Sequence, residues 1–212
     1  MNQRNPDEMI GFYMRGHIRI TDPATMEVIL DKTNAIHYSN MSEALAYGLA
    51  NKSQNYIFEM HFGNGATSVD PTGVINYLPP NTTGASAGLY NPTFAKIVDD
   101  TDVLNADPLN NKMEVTHVTG NNYSDILVTC LLDFGEPADQ AAFDNSQNLN
   151  EQYVFDELGL KARATDGSVG VASTGKLLTH AVFHPVQKSL NRQFLIEYTV
   201  RVQSLTNLSL QA

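Results

Sequence analysis

Within LLTHAVFHPVQKS, residues 177–189, His180 and His184 stand four apart. That is the spacing by which His-x-x-x-His grips one zinc ion on a helix, where residues four apart share a face. The neighbours argue against this chemistry. Val182 and Phe183 favour extended backbone, and Pro185 biases His184 away from helix. On a strand, four residues span ~13 Å at ~3.3 Å each, too far for one ion with bonds of ~2.0 Å. No glutamate follows His180 to act as a base. The stretch therefore reads as a strand that pairs with FLIEYTVRV (194–202) across the KSLNR turn. Pro185 ends or bends it, and His180, Val182 and His184 share one face. His17, His37, His61 and His117 are scattered and read as packed or surface residues.

Other chemistry-bearing patterns fail on their own terms. GVASTGKLL (170–178) nearly spells a phosphate-binding loop, but Leu177 follows Lys176 where a magnesium-binding hydroxyl belongs. A loop precedes it and a strand follows, so no helix N-terminus is there to hold phosphate. The acidic loop DDTDVLNADPLNN (99–111) misses the calcium-loop pattern: counted from Asp100, positions five, six and twelve hold Leu104, Asn105 and Asn111. A solvated turn is the better reading. Asp156 and Glu157 are adjacent on a strand and should point to opposite faces, while Glu136 and Asp139 sit in a loop. No acid–base pair with a fixed relation emerges, and no Gly-x-Ser-x-Gly elbow occurs. Cys130, the one cysteine, lies in the apolar run DILVTCLLDF and reads as a small buried hydrophobe. The expectation is a non-enzymatic protein with no catalytic, cofactor-binding or metal-site residues and no cofactor.

The elements that would position any site are mostly strands. Charged residues make up only 17% of the 212, and 20 asparagines supply much of the polarity, a composition suited to turns and strands. A net charge of −10 with no basic cluster excludes a general nucleic-acid or anionic-membrane surface. The N-terminus lacks a secretory apolar core, and no apolar run reaches the ~20 residues of a membrane helix. Strands are predicted at 15–20 and 26–32 around an Asp-Pro turn, then at 56–62, near 74–78 and near 93–100. GNG (63–65) reads as a turn with positive φ. A hairpin joins 113–118 to 123–134, its second arm apolar on both faces and so a central strand. Strands at 153–160, 177–183 and 194–202 complete the set. One short helix, capped by Asn40 or Ser42, covers EALAYGLANK. The fold class is mainly β: an antiparallel β-sandwich with one short α-helix and long loops. It forms a single domain over 1–203 with an N-terminal hairpin and helix, followed by a C-terminal tail at 204–212.

The last third of the chain resembles the attachment domain at the N-terminus of tail fibres and related baseplate proteins of tailed bacteriophages. The residues that carry the resemblance are FDELGLKA (155–162), a variable loop ending at Gly175, KLLTHAVFHPVQKS (176–189) and FLIEYTVRVQ (194–203). HFGNGAT (61–67) is similar to the family's Phe/Ile-Gly-Asn/Asp-Gly turn, and YNPTFAKIVDD (90–100) stands where it has a Leu-x-x-Glu-x-Tyr-like segment. The family's fibres continue into a shaft and a receptor-binding tip, whereas this sequence ends at Ala212. The resemblance implies a virion structural protein, assembled in the host cytoplasm. It would be a subunit of a symmetric tail, neck, collar or baseplate ring acting as adaptor or attachment point. Its partners would be copies of itself, as a homo-oligomer, and other virion proteins, without nucleic acid or membrane. Two alternatives stand beside it: a capsid decoration protein, and a glycan-binding β-sandwich for host recognition whose loops bear Tyr77 and Tyr90.

Overall fold

The computed structural model describes residues 11–52, 54–84, 86–137 and 152–205. Nine strands form one antiparallel sheet that curls into a half-barrel. In chain order the elements are β1 (Gly11–Asp22), β2 (Glu27–Ile36), α1 (Tyr38–Leu49), β3 (Ile57–Gly63), β4 (Thr67–Val69), β5 (Ile75–Tyr77) and β6 (Pro92–Ile97). They continue as β7 (Lys112–His117), β8 (Tyr123–Leu132), β9 (Gln152–Ala162), β10 (Thr179–Ser189) and β11 (Phe194–Leu205). The sheet order is β6-β3-β9-β10-β2-β1-β11-β8-β7, and β4 pairs with β5 in a separate two-stranded ribbon.

The half made of β6, β3, β9 and β10 faces the half made of β2, β1, β11, β8 and β7 across one core. Met60, Phe62, Phe155, Leu158 and Phe183 come from the first half, and Ile18, Ile20, Val128, Ile196 and Tyr198 from the second. Each such side chain contributes about 1.5–3 kcal/mol by leaving water. Strict alternation dictates this arrangement on β11: Phe194, Ile196, Tyr198 and Val200 are buried while Leu195, Glu197, Thr199 and Arg201 are half-buried on the other face.

The two halves meet along a short seam. Only Thr179↔Ile36 and His180↔Ala35 pair β10 with β2, reinforced by the Lys32 ammonium on the Val182 carbonyl at 2.6 Å. At the open side, lysines take the place of strand pairing. Lys96 on β6 donates to the Leu131 carbonyl at 2.8 Å and to Glu136 Oε2 at 2.6 Å. Buried Lys188 on β10 donates to the carbonyls of Asp133 and Glu136 at 2.8 and 2.6 Å.

Several expectations need correcting. β10 does not pair with β11: it pairs with β9 and briefly with β2, while β11 lies between β1 and β8. The turn after Ser189 instead carries the chain from one half of the sheet to the other. β8 is not covered on both faces. It lies second from the sheet edge, with Val128, Cys130 and Leu132 buried and Leu127, Thr129 and Leu131 half-buried on the opposite side. The helix begins earlier than its polar residues suggest, because His37 is the N-cap and accepts from the Asn40 N–H through Nδ1 at 3.2 Å. Asn40 is already inside the first turn and donates to the Leu177 carbonyl. Ser204 and Leu205, assigned to the tail, extend β11 and pair with Phe12 and Gly11. The rest of the tail and Asp139 lie outside the described residues.

Candidate functional site

The densest buried chemistry lies on the face of β3, β9 and β10 that is turned away from the main core. β3 contributes Glu59 and His61, two apart and therefore on one face. β9 contributes Asp156 and Glu157, and β10 contributes His180. All five are buried.

Glu157 is fully satisfied. Its Oε1 accepts from the Asn91 N–H at 2.8 Å and the Gly65 N–H at 3.2 Å. Its Oε2 accepts from the Tyr90 N–H at 2.9 Å and from His180 Nε2 at 3.0 Å. Four donors fill the roughly four lone-pair sites of a carboxylate. Burial pushes this carboxyl up, but the hydrogen bonds from His180, Asn91 and Tyr90 outweigh it and hold the group below the usual glutamate range. The tautomer of His180 follows from its other nitrogen. The Asn81 N–H donates to Nδ1 at 2.8 Å, so Nδ1 carries no proton and Nε2–H donates to Glu157. Both ring nitrogens are occupied, which leaves His180 no lone pair for a metal. His184 is exposed, with Nδ1 at 3.2 Å from the Tyr77 hydroxyl. Ala181 and Phe183 enter the core, so His180, Val182 and His184 alternate onto the opposite face, but His180 is sealed beneath Asn81 while His184 meets solvent beside Tyr77.

Asp156 serves the same loop as Glu157. It accepts from the Ala66 N–H at 3.1 Å, the Thr67 N–H at 2.8 Å and the Thr67 hydroxyl. The two carboxylates thus converge on consecutive residues 65–67, where strand alternation predicts divergence. The irregular register opposite them accounts for this, with Asp156 between Phe155↔Val186 and Glu157↔Val182. Burial raises Asp156 above the usual aspartate range, an effect the Thr67 and Ala66 hydrogen bonds only partly offset.

The glycines of HFGNGAT have a reason other than the one expected. Neither Gly63 nor Gly65 has positive φ. A Cβ on Gly63 would stand 2.5 Å from Glu157 Oε1 and 2.6 Å from the Asn91 carbonyl, and one on Gly65 would stand 2.7 Å from Asn91 Cβ. Glycine is required here for close approach of the loops to the carboxylate.

The second pair is Glu59 with His61. Glu59 Oε2 lies 3.1 Å from His61 Nε2, and Oε1 accepts from the Gly170 N–H at 2.5 Å. Burial holds the His61 imidazole below its ordinary value, and its Nδ1 has no partner among the described residues.

The remaining sequence candidates are engaged elsewhere. Gly170–Ala172 forms one 3-10 turn, and the Lys176 ammonium pairs with Glu43. In the 99–111 loop the Asp99 and Asp102 carboxylates close local turns on Thr101 and Leu104. Burial pushes the Cys130 thiol up to about 12, so it is no nucleophile near neutral pH. Tyr90 donates its hydroxyl to the Pro79 carbonyl and packs against His180. Glu136 binds Lys96. Among the described residues, no three His, Cys, Asp or Glu side chains converge as a ligand set, and no helix is long and apolar enough to cross a membrane.

Glu157, Asp156 and Glu59 present anionic oxygens to backbone N–H groups, the stronger, charge-assisted kind of hydrogen bond. They fasten residues 65–67, 90–91 and 170 to the sheet, and His180 fastens Asn81. The pairing of Glu157 with His180 was missed from sequence. Its signal was present in FDELG (155–159) and LLTHAVF (177–183), where ionisable residues interrupt otherwise apolar strands, as FEMHF (58–62) does for Glu59 and His61. Comparison with known protein families, curated proteins and solved structures finds no match to this chain.

Proposed function

We propose that this chain is a virion structural protein of a tailed bacteriophage, a subunit of a symmetric tail, neck, collar or baseplate assembly that acts as adaptor or attachment point. The observation that carries the reading is the resemblance of 155–162, 176–189 and 194–203 to the attachment domain of tail-fibre and baseplate proteins. These residues fall in β9, β10 and β11, two strands of one sheet half and one of the other.

Two features support it. The ionisable cluster is sealed and spent on holding loops, which suits a scaffold that presents surfaces. The 99–111 loop is also built to present side chains. Asn105 ties its ends by donating to the Asp99 and Asn111 carbonyls at 3.0 and 2.8 Å, and Asp102 pairs with Arg163 at 3.5 Å. On this braced loop Val103 is 97% and Leu109 83% exposed. Apolar side chains held out on a braced loop leave water when a neighbouring subunit covers them, in keeping with the more hydrophobic character of permanent interfaces.

Mass spectrometry of purified virions, with immunogold labelling, tests the reading. The chain should be present in fixed stoichiometry with label on the tail or neck. Label over the head would replace this position with capsid decoration, and absence from mature particles would overturn the proposal.

A further inference from the structure

The outward face of the β2-β1-β11-β8-β7 half carries an arrangement that the assembly reading does not use. Arg15 on β1 and Arg201 on β11 are direct cross-strand partners. Like charges placed opposite one another destabilise a sheet unless something lies between them. Asp125 takes Arg201 in a two-pronged bridge, with both contacts at 2.7 Å, and feels Arg15 only through space, without a direct contact. Arg15 is exposed and has no hydrogen-bond or ion-pair partner among the described residues. The other arginines given side-chain partners, Arg163 and Arg192, each face a carboxylate. In a chain of net charge −10, an exposed guanidinium with no direct ion pair, set beside a second one, is a local departure of the kind that marks function.

The two arginines border a hollow of about 290 Å3, lined also by Gly16, His17, Thr33 and Thr199. That is near the lower end of ligand-pocket sizes, about 300–1,000 Å3. His17 is turned to Asp31 at 2.6 Å, which leaves Arg15 and the two threonine hydroxyls to address a ligand. One step along the same face, Tyr13, Gln203 and Tyr123 form the next cross-strand row. Tyr123 already lies under the Arg201 guanidinium, 3.9 Å from ring centroid to Cζ. Tyr13 is half exposed.

We propose that this hollow binds an acidic saccharide, with the sugar carboxylate on Arg15 between the two arginines. A guanidinium matches a carboxylate by shape as well as charge. Thr33 and Thr199 offer hydroxyls to the ring hydroxyls, and the Tyr13 ring supplies an apolar wall. An unadorned oxyanion would use the arginine but not the tyrosine. The site differs from the loop tyrosines Tyr77 and Tyr90, whose hydroxyls are already engaged. It also goes beyond the assembly reading, since binding by the isolated chain and presence in particles are separate measurements.

Isothermal titration of the purified full chain tests the site with oligogalacturonate and oligosialate, with oligogalactose as the neutral counterpart of the former, and with inorganic phosphate and acetate. At least one acidic oligomer should bind, with the neutral oligomer at least tenfold weaker. Arg15→Gln should lose at least tenfold with an unchanged melting temperature, as should Tyr13→Ala. Arg19→Gln, on the same face but opposite Glu197, should bind as the parent does. Absence of binding by both acidic oligomers, equal binding of neutral and acidic oligomers, phosphate matching the oligomer, or an unaffected Arg15→Gln chain would each overturn the proposal.

Discussion

His180 Nε2 and Glu157 Oε2 lie 3.0 Å apart with both side chains sealed from solvent, and the Asn81 N–H on His180 Nδ1 fixes which nitrogen donates. The contact joins β10 to β9 on the outward face. Through Glu157 it fixes residues 65, 90 and 91, and through His180 it fixes residue 81. A buried ionised carboxylate is costly unless each acceptor site is met. Here four donors meet it, so the loops and the charge hold each other in place.

Replacing Glu157 with Gln should therefore be expensive despite the similar shape. An amide presents an NH2 where the carboxylate presented an oxygen, so at least one of Tyr90 N–H, Asn91 N–H, Gly65 N–H and His180 Nε2–H faces another donor. The expected loss is about 3 kcal/mol, the scale for breaking a buried charged network. A urea titration should show a lower midpoint. Hydrogen exchange should show faster exchange at the amides of Gly65, Tyr90 and Asn91, while β1 and β11 stay protected. An unchanged midpoint would sink the account.

Asp156 and Glu157 are neighbours, yet their contributions to stability should run in opposite directions with pH. Glu157 is held below its ordinary 4.5, so the unfolded chain binds its proton first. The stability it confers is present above pH 4.5 and is lost as pH falls through the folded value below that. Asp156 is raised above its ordinary 3.8 by burial, so the folded chain holds its proton more tightly. Its contribution is fully present below pH 3.8 and declines as pH rises through the folded value. Denaturation measured from pH 3 to 7 on the parent, Glu157→Gln and Asp156→Asn chains should give parent-minus-variant differences of opposite slope.

The legibility of the sequence divides along physical lines. The long alternation of 194–202 and the turn-flanked hairpin at 113–134 depend on local pattern, so β7, β8 and β11 were readable. Register and partner choice depend on distant residues. Nothing within KSLNR says that the chain crosses to the other half of the sheet instead of closing a hairpin. His37 as a helix cap was hidden because histidine is seldom expected there. The convergence of Asp156 and Glu157 was hidden because strand periodicity assumes an unbroken ladder, and the register shifts at Val182/Val186. His180 and His184 lie on one strand, as the local residues Val182 and Phe183 indicate, but their different surroundings depend on distant loops. One histidine is buried with both nitrogens occupied, and the other faces solvent beside Tyr77.

Val103 and Leu109 allow assembly to be separated from folding. Both side chains are almost fully exposed, so Val103→Ser with Leu109→Ser removes little buried area and should shift stability by no more than about 0.5 kcal/mol. If these residues anchor a neighbour, the double variant should still fold with an unchanged melting temperature but enter particles poorly. Quantitative mass spectrometry of virions grown with a mixture of parent and variant chains reads this directly. Equal incorporation would remove the loop from the interface.

Lys188 offers a test at the alkaline end. Its side chain is buried where β10 approaches the end of β8, with the ammonium on the Asp133 and Glu136 carbonyls. Burial pushes the amine down to about 8 from its ordinary 10.5, against the opposing pull of the Glu136 and Asp133 carboxylates. The unfolded chain thus keeps this proton over a range where the folded chain gives it up. More protons bound in the unfolded state means that stability rises with pH, here between about 8 and 10.5. Other lysines and tyrosines titrate in the same window, so the comparison is with Lys188→Met, which shares all of them. Lys188→Met leaves two carbonyls without their donor and should be less stable than the parent at pH 7. The parent's advantage should then widen from pH 8 to 10 in denaturant titrations. A constant or shrinking advantage would mean that Lys188 keeps its proton, and that the ammonium clamp between the two halves is stronger than its burial is costly.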